Sequence, residues 1–393
     1  MRLVNYEKVK MDSLMIDQIK SRYFLLFLLF LDTMEPLKEL FNRDFYHQFA
    51  NEFSKIDPSF EVEAFIQSVT KGLDERSLNE RMRNTSVVLK DFLPADYEQS
   101  IELMRKVIPN LKKGYTTLIF PDFVSQFGKQ TIDISLDALK YFTQFGSSEF
   151  AIRTFLQQDF NRTIQTMYAW AIDENHHVRR LASEGSRPRL PWSFKLPEVI
   201  KNPRLTQPIL EQLKTDPELY VRKSVANHLN DFSKDNPAFM IDLVTQWDQS
   251  HPHTAWIVKH GTRTLIKKGN TDSLNVFGYE KEVQLKLVDF KLNRSHIKLG
   301  DTLQFDFTLV SEKSTAQKLV VDYVIHYRKN SGELSAKVFK LKEVNLLPNQ
   351  PVFIAKKQLI KDFSTRKHYV GEHLLEIQIN GKIVYKTSFL LEE

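Results

Sequence analysis

Cysteine is absent from this chain of 393 residues. No disulfide, thiolate nucleophile or cysteine-ligated zinc or iron–sulfur centre can be built from it. The absence fits a reducing compartment, and cytoplasmic residence is the expectation. Long apolar runs are missing too. The longest, Tyr23 to Leu31, has nine residues, whereas a membrane-crossing helix needs about 20. No membrane partner is expected. There is no glycine-rich phosphate loop, no G-x-S-x-G elbow and no H-E-x-x-H motif. His176 and His177 are adjacent, and His251 and His253 flank Pro252, spacings that lack a third ligand. Neither metal nor cofactor is expected.

The net charge of +6 is modest but unevenly placed. Residues 281–393 hold 19 basic and 13 acidic side chains, and residues 176–234 hold 11 and 6. Such concentration suits a polyanion-binding face; in the tail, lysines on an ordinary solvated surface account for it equally well.

From Met34 to about Asn270 the pattern is helical. Leu37, Leu40, Phe41, Phe45 and Phe49 recur at three- and four-residue spacing, and Pro58, Gly72, Pro94, Pro109 and Gly114 fall between segments. An internal repeat is visible. Asp173, Val178 and Arg179 recur as Asp216, Val221 and Arg222, all offset by 43, with a weaker echo at Phe150 to Arg153. A repeat of about forty residues predicts stacked helix pairs of HEAT type, which form extended binding surfaces. After Gly278 the texture alternates instead, at Val283–Leu287, Leu303–Leu309, Val320–Tyr327, Ala336–Leu341, Val352–Ala355 and Leu374–Ile379. Asn380-Gly381 marks a hairpin. The expected fold class is therefore an α solenoid of HEAT-like repeats over 34–278, followed by an immunoglobulin-like β-sandwich over 279–393. Residues 1–33 read as an extension ahead of a natural start at Met34, with a membrane-directing segment as the alternative.

The densest chemistry lies in Asp173 to Trp192. Arg179, Arg180, Arg187 and Arg189 suit phosphate oxygens, because a planar guanidinium pairs with them bidentately. Glu184 lies among them and Trp192 ends the run. An ion-pair network of Glu184 with its own arginines, beside a core tryptophan, is an equally available reading. Basic residues elsewhere, namely Arg153, Arg222, Lys223, Lys259, Arg263, Lys267 and Lys268, are the further candidates for phosphate contacts. Trp170 and Trp247 sit in apolar helical segments and read as core; Trp256 could be core or cleft.

The run HVRRLASEGSRPRLPW closely resembles the characteristic segment of AlkC-type DNA alkylation repair glycosylases. The likeness extends through MEPLKELFN (34–42), GLDERSLNERM (72–82), SLDALKYFTQFGSSEFAIRTFL (135–156), VRKSVANHLND (221–231) and TAWIVKHGTRTLIKKG (254–269). The resemblance implies an enzyme that grips duplex DNA containing alkylated bases and hydrolyses the N-glycosidic bond of cationic lesions such as N3-methylcytosine, N1-methyladenine and N3-methyladenine; a monomer is expected. It also implies association with the nucleoid when DNA is bound. Carried onto matching positions, it implies Glu149, Glu184 and Asp231 as catalytic acids and Trp192 as the aromatic against lesion or sugar. The rival expectation is a HEAT-repeat protein that binds DNA or protein without catalysis, since a fold does not determine an activity.

Overall fold

A computed structural model describes residues 37–280, 282–362 and 367–393. The expected extension 1–33 lies outside the described residues. The chain divides into two compact units between Thr163 and Ile164. The last helix ends at Val276 and the first strand begins at Leu285, and the later helices and the sandwich share one unit.

The first unit is helical: α1 (Arg43–Ile56), α2 (Val62–Thr70), α3 (Leu78–Leu89), α4 (Tyr97–Val107), α5 (Ile119–Phe127), α6 (Ile132–Phe142) and α7 (Ile152–Gln158). Helix α1 starts where Asn42 Oδ1 accepts from Phe45 N at 2.8 Å, a side-chain cap for an orphan amide. Its phenylalanines then build the core, with Phe49 within 5.0 Å of the Phe53 ring, 5.8 Å of Phe65 and 5.9 Å of Phe120.

Helix α8 (Phe160–Trp170) leads into the second unit, which contains α9 (His176–Gly185), α10 (Pro197–Lys201), α11 (Gln207–Leu213), α12 (Leu219–Asp235), α13 (Pro237–Thr245), α14 (Pro252–Gly261), α15 (Arg263–Lys267) and α16 (Thr271–Val276). Helix α12 packs between α9 and α14, with α11 and α13 also against it. Val221, Val225, Leu229 and Phe232 face that core. Gly261 allows the close approach of α14, because a Cβ there would lie 2.8 Å from Leu229 Cβ.

The 43-residue repeat is a repeat of bonds. Asp173 accepts from Asn175 N at 2.8 Å, and Asp216 accepts from Glu218 N at 2.8 Å. Arg179 Nη1 donates to the carbonyls of Asp173 and Glu174, as Arg222 Nη1 donates to those of Asp216 and Pro217. Each aspartate forms the turn and each arginine satisfies its carbonyls.

The sandwich has two sheets, β1 (Leu285–Leu292), β3 (Thr302–Ser311) and β6 (Val352–Leu359) in the order β1-β3-β6, and β2 (His296–Lys298), β8 (Lys382–Glu392), β7 (Gly371–Ile379), β4 (Gln317–Arg328) and β5 (Leu334–Leu346) in the order β2-β8-β7-β4-β5. Alternate residues Leu303, Phe305, Phe307 and Leu309 face Val321, Tyr323, Ile325 and Ile377 in the core between them. Asn380 and Gly381, at φ 47° and 81°, make the β7–β8 turn. That turn touches the helices directly. A Cβ on Gly381 would lie 2.0 Å from Gly269 Cα, Gln378 Nε2 donates to Lys267 O, and Lys259 pairs with Glu343 at 2.9 Å.

Candidate active site

Glu184 lies in the last turn of α9, and Arg187 follows where the helix has ended. Arg187 Nη1 donates to Glu184 Oε1 at 2.6 Å. Its Nε donates to Asp231 Oδ2 on α12 at 2.8 Å. All three residues are buried. Arg180 Nη2 lies 3.6 Å from the same Glu184 oxygen, and its guanidinium sits 4.9 Å over the Tyr220 ring. Lys234 Nζ takes the other Asp231 oxygen at 3.0 Å. Asp231 is therefore held at both oxygens, whereas among the described residues Glu184 Oε2 accepts no hydrogen bond. Burial works against the Arg187 cation, but the two carboxylates outweigh it and raise its pKa.

The two buried carboxylates share Arg187 and each meets one further cation, Arg180 beside Glu184 and Lys234 on Asp231, in a desolvated setting where charges act strongly. The second cation on Asp231, Lys234, is nearly half exposed and screened by water.

The segment after Arg187 is a closed loop, with Leu196 N donating to Pro188 O at 3.1 Å and Ser193 N to Leu190 O at 3.3 Å. At its tip Trp192 is 86% exposed and has φ 63°. A bulky residue in the left-handed region is strained and persists only where its surroundings impose it. The expected core alternative for this tryptophan is overturned by its exposure. Trp170 and Trp247 are buried, as expected of core residues, and Trp256 stacks on His260 at 3.8 Å.

Several arginines expected on phosphates are committed elsewhere. Arg153 has no exposed surface, so its guanidinium has no solvent face to offer a phosphate. Arg187 is buried between carboxylates. Arg179 spends Nε and Nη2 on Asp216, at 2.6 and 3.2 Å, and Nη1 on turn carbonyls. Arg222 is likewise clamped to its turn, and Arg189 is held bidentately by Asp235 at 2.5 Å on both nitrogens. Lys223, Arg263 and Lys268 are exposed. Arg263 binds Asn227 Oδ1 at 3.1 Å, and burial of its head together with nearby Arg187 lowers its pKa. Lys259 is half exposed beside Glu343, and Lys267 donates to Val338 O at 3.2 Å. Glu149 and Arg153 belong to the first unit, where Glu149 accepts from the Ser147 hydroxyl at 2.8 Å.

Sequence reasoning passed over Lys234 and Asp235. A signal existed: Arg187 and Arg189 are two apart, and Asp231 and Asp235 are four apart. Four residues of helix advance about 6 Å, a span two loop residues can match at up to about 7 Å.

Residues 135–265 match the family model described as DNA alkylation repair enzyme, and residues 286–393 match that described as uncharacterised protein YhaZ, C-terminal Ig-like domain. The chain is 41% identical over 357 residues to the uncharacterized protein YhaZ of Bacillus subtilis (strain 168), covering 91% of this chain and 99% of that one. It is 44% identical, with a TM-score of 0.89, to the Pseudomonas fluorescens alkylpurine DNA glycosylase AlkC solved bound to DNA containing an abasic site analog; 91% of this chain and 100% of that chain are covered.

Proposed function

Since the chain belongs to the AlkC-type family of DNA alkylation repair glycosylases, we propose that it binds duplex DNA and hydrolyses the N-glycosidic bond of alkylated bases. The substrates are small cationic lesions, N3-methyladenine, N3-methylcytosine and N1-methyladenine among them. Such a base leaves neutral and needs little protonation. The demand falls instead on the deoxyribose, which becomes an oxocarbenium-like cation.

The observation that carries this reading is the asymmetry of the two acids. Among the described residues Glu184 keeps one oxygen without a hydrogen-bond partner, while the other is fixed by Arg187. That free oxygen stabilises the sugar cation and orients the attacking water, the kind of preorganised electrostatics that dominates many enzymes. Asp231, with both oxygens taken, holds Arg187 in place. Glu149, in the first unit, is the third acid that the family resemblance assigns. Trp192 lies against lesion or sugar, where a cation–π contact contributes on the order of 0.5–2 kcal/mol. Lys223, Arg263 and Lys268, with Lys259 and Lys267 where their present contacts yield, neutralise backbone phosphates.

The test is incubation with duplexes bearing single defined N-methyl lesions, with released base identified by mass spectrometry. Free base accompanied by abasic DNA is expected. Tight duplex binding with no release would favour a DNA-binding scaffold, and no affinity even at low salt would favour a protein-binding one.

A further inference from the structure

The loop Pro188–Leu196 is anchored to α12 twice, one helical turn apart. The first anchor, Arg187–Asp231, also carries Glu184 and cannot be separated from the site's chemistry. The second, Arg189–Asp235, can. Its geometry is a full fork, Nε on Oδ2 and Nη2 on Oδ1, each at 2.5 Å, the arrangement in which guanidinium and carboxylate are most directional. Asp235 is the last residue of α12, where the helix dipole disfavours a negative charge. The position is unfavourable for the helix by itself, and Arg189 is the group that offsets it, holding the Asp235 carboxyl below the usual range.

Between this anchor and the loop's closing bond at Leu196 stands Trp192, in a backbone conformation that its side chain disfavours. An unanchored nine-residue loop would relax that residue into an extended or helical region. We propose that Asp235 is a positioning residue of the base-excision site: by gripping Arg189 it imposes the loop conformation that presents Trp192. The proposal rests on the reading that Trp192 meets the lesion or sugar. Asp235 touches neither, and acts only through Arg189 and the loop.

The experiment uses the full chain with Asp235→Asn, which keeps the side chain's shape and removes its charge, and with Arg189→Gln, which breaks the same fork from the other side. Single-turnover base release is expected to slow about tenfold in each, as displacement of a positioned group does. Affinity for an abasic-analog duplex should stay within about twofold, and the double variant should be no slower than either single one. On a Trp192→Ala background, Asp235→Asn should then change the rate no further. A second readout does not depend on activity. With 5-fluorotryptophan incorporated, Asp235→Asn should shift or broaden the Trp192 fluorine resonance, assigned through Trp192→Phe, and leave those of Trp170, Trp247 and Trp256 in place. An unchanged Trp192 resonance, or equal slowing with and without Trp192, would overturn the proposal. Absence of base release by the native protein would sink the functional reading instead, leaving the fluorine spectra to judge the loop.

Discussion

Arg187 Nε lies 2.8 Å from Asp231 Oδ2, across 44 residues of chain and between two elements. The contact joins the end of α9 to the unit's longest helix one turn before its C-terminus, and it places Arg187's other nitrogen on Glu184. Arg187→Ala should therefore act first on folding. It strands two buried carboxylates, a change that costs about 3–5 kcal/mol. Urea denaturation should show that loss directly. A variant with native stability and uniformly weaker duplex binding would restore the phosphate role expected from sequence.

Glu184→Gln and Asp231→Asn should separate. With Glu184→Gln, base release should fall by about 10²-fold or more, while affinity for an abasic-analog duplex is kept or slightly raised because one repulsive charge is gone. With Asp231→Asn the rate should fall less, and stability more, since the lost interactions are those holding Arg187 and Lys234. Single-turnover rates and denaturation midpoints measured on both variants check this; near-normal turnover in Glu184→Gln would refute the assignment.

Trp192→Gly should slow base release by about 2- to 30-fold yet not lose stability. Glycine accepts φ 63° without strain, and an exposed indole gives up little burial. Relief of the strained backbone should leave the unfolding free energy unchanged or raise it by about 1 kcal/mol. Trp192→Ala, which keeps the disfavoured backbone, should show the same loss of activity without the gain. A clear destabilisation of the glycine variant would mean that the indole is packed in solution.

Gly381→Ala should destabilise by about 2–4 kcal/mol, combining a left-handed backbone penalty with overpacking against Gly269. Gly278→Ala is the control. Gly278 also has φ +67°, but nothing lies within 4 Å of a Cβ there, so only the backbone penalty of about 1–2 kcal/mol applies. Thermal unfolding of the two variants measures the difference.

Asp322 is 1% exposed, and among the described residues neither carboxylate oxygen has a hydrogen-bond partner. Burial pushes its pKa up to about 6, against the pull of Lys267 and Lys340. The folded protein thus keeps a proton that the unfolded chain gives up near pH 4. The stability this group contributes is whole below about pH 4 and is lost as pH rises through 6. Above that, the cost approaches about 3 kcal/mol, from a shift of roughly two units. Asp322→Asn should stabilise by up to that amount at pH 8 and by almost nothing at pH 4. Equal gains at both pH values would show that the charge is not responsible.

The repeat and the sandwich were legible because each signal does a local job. Asp173 and Asp216 build turns, Arg179 and Arg222 cap them, and alternation in β3 or β4 follows from having two faces. Strand β2 escaped notice because His296–Lys298 is too short to alternate and pairs in parallel with distant β8. The division at Thr163 was hidden too, since composition does not change within the helical half. At the candidate site the residue types were legible and their partners were not. Nothing local distinguishes an arginine that meets phosphate from one that meets Asp231 or Asp235 more than forty positions away, and nothing in RPRLPW says whether its tryptophan faces inward or out.

The meeting of the β7–β8 turn with the end of α15 sets an order of events during synthesis. Lys267 O waits for Gln378, 111 residues later. At roughly 5–20 residues per second, the ribosome takes on the order of 6–22 s to supply it. Throughout that interval Lys267 O and Gly269 lack the hairpin they meet in the folded protein. Chaperone dependence and loss of yield on slowed translation should therefore concentrate at this joint, with helices α9, α12 and α14 already packed upstream of it.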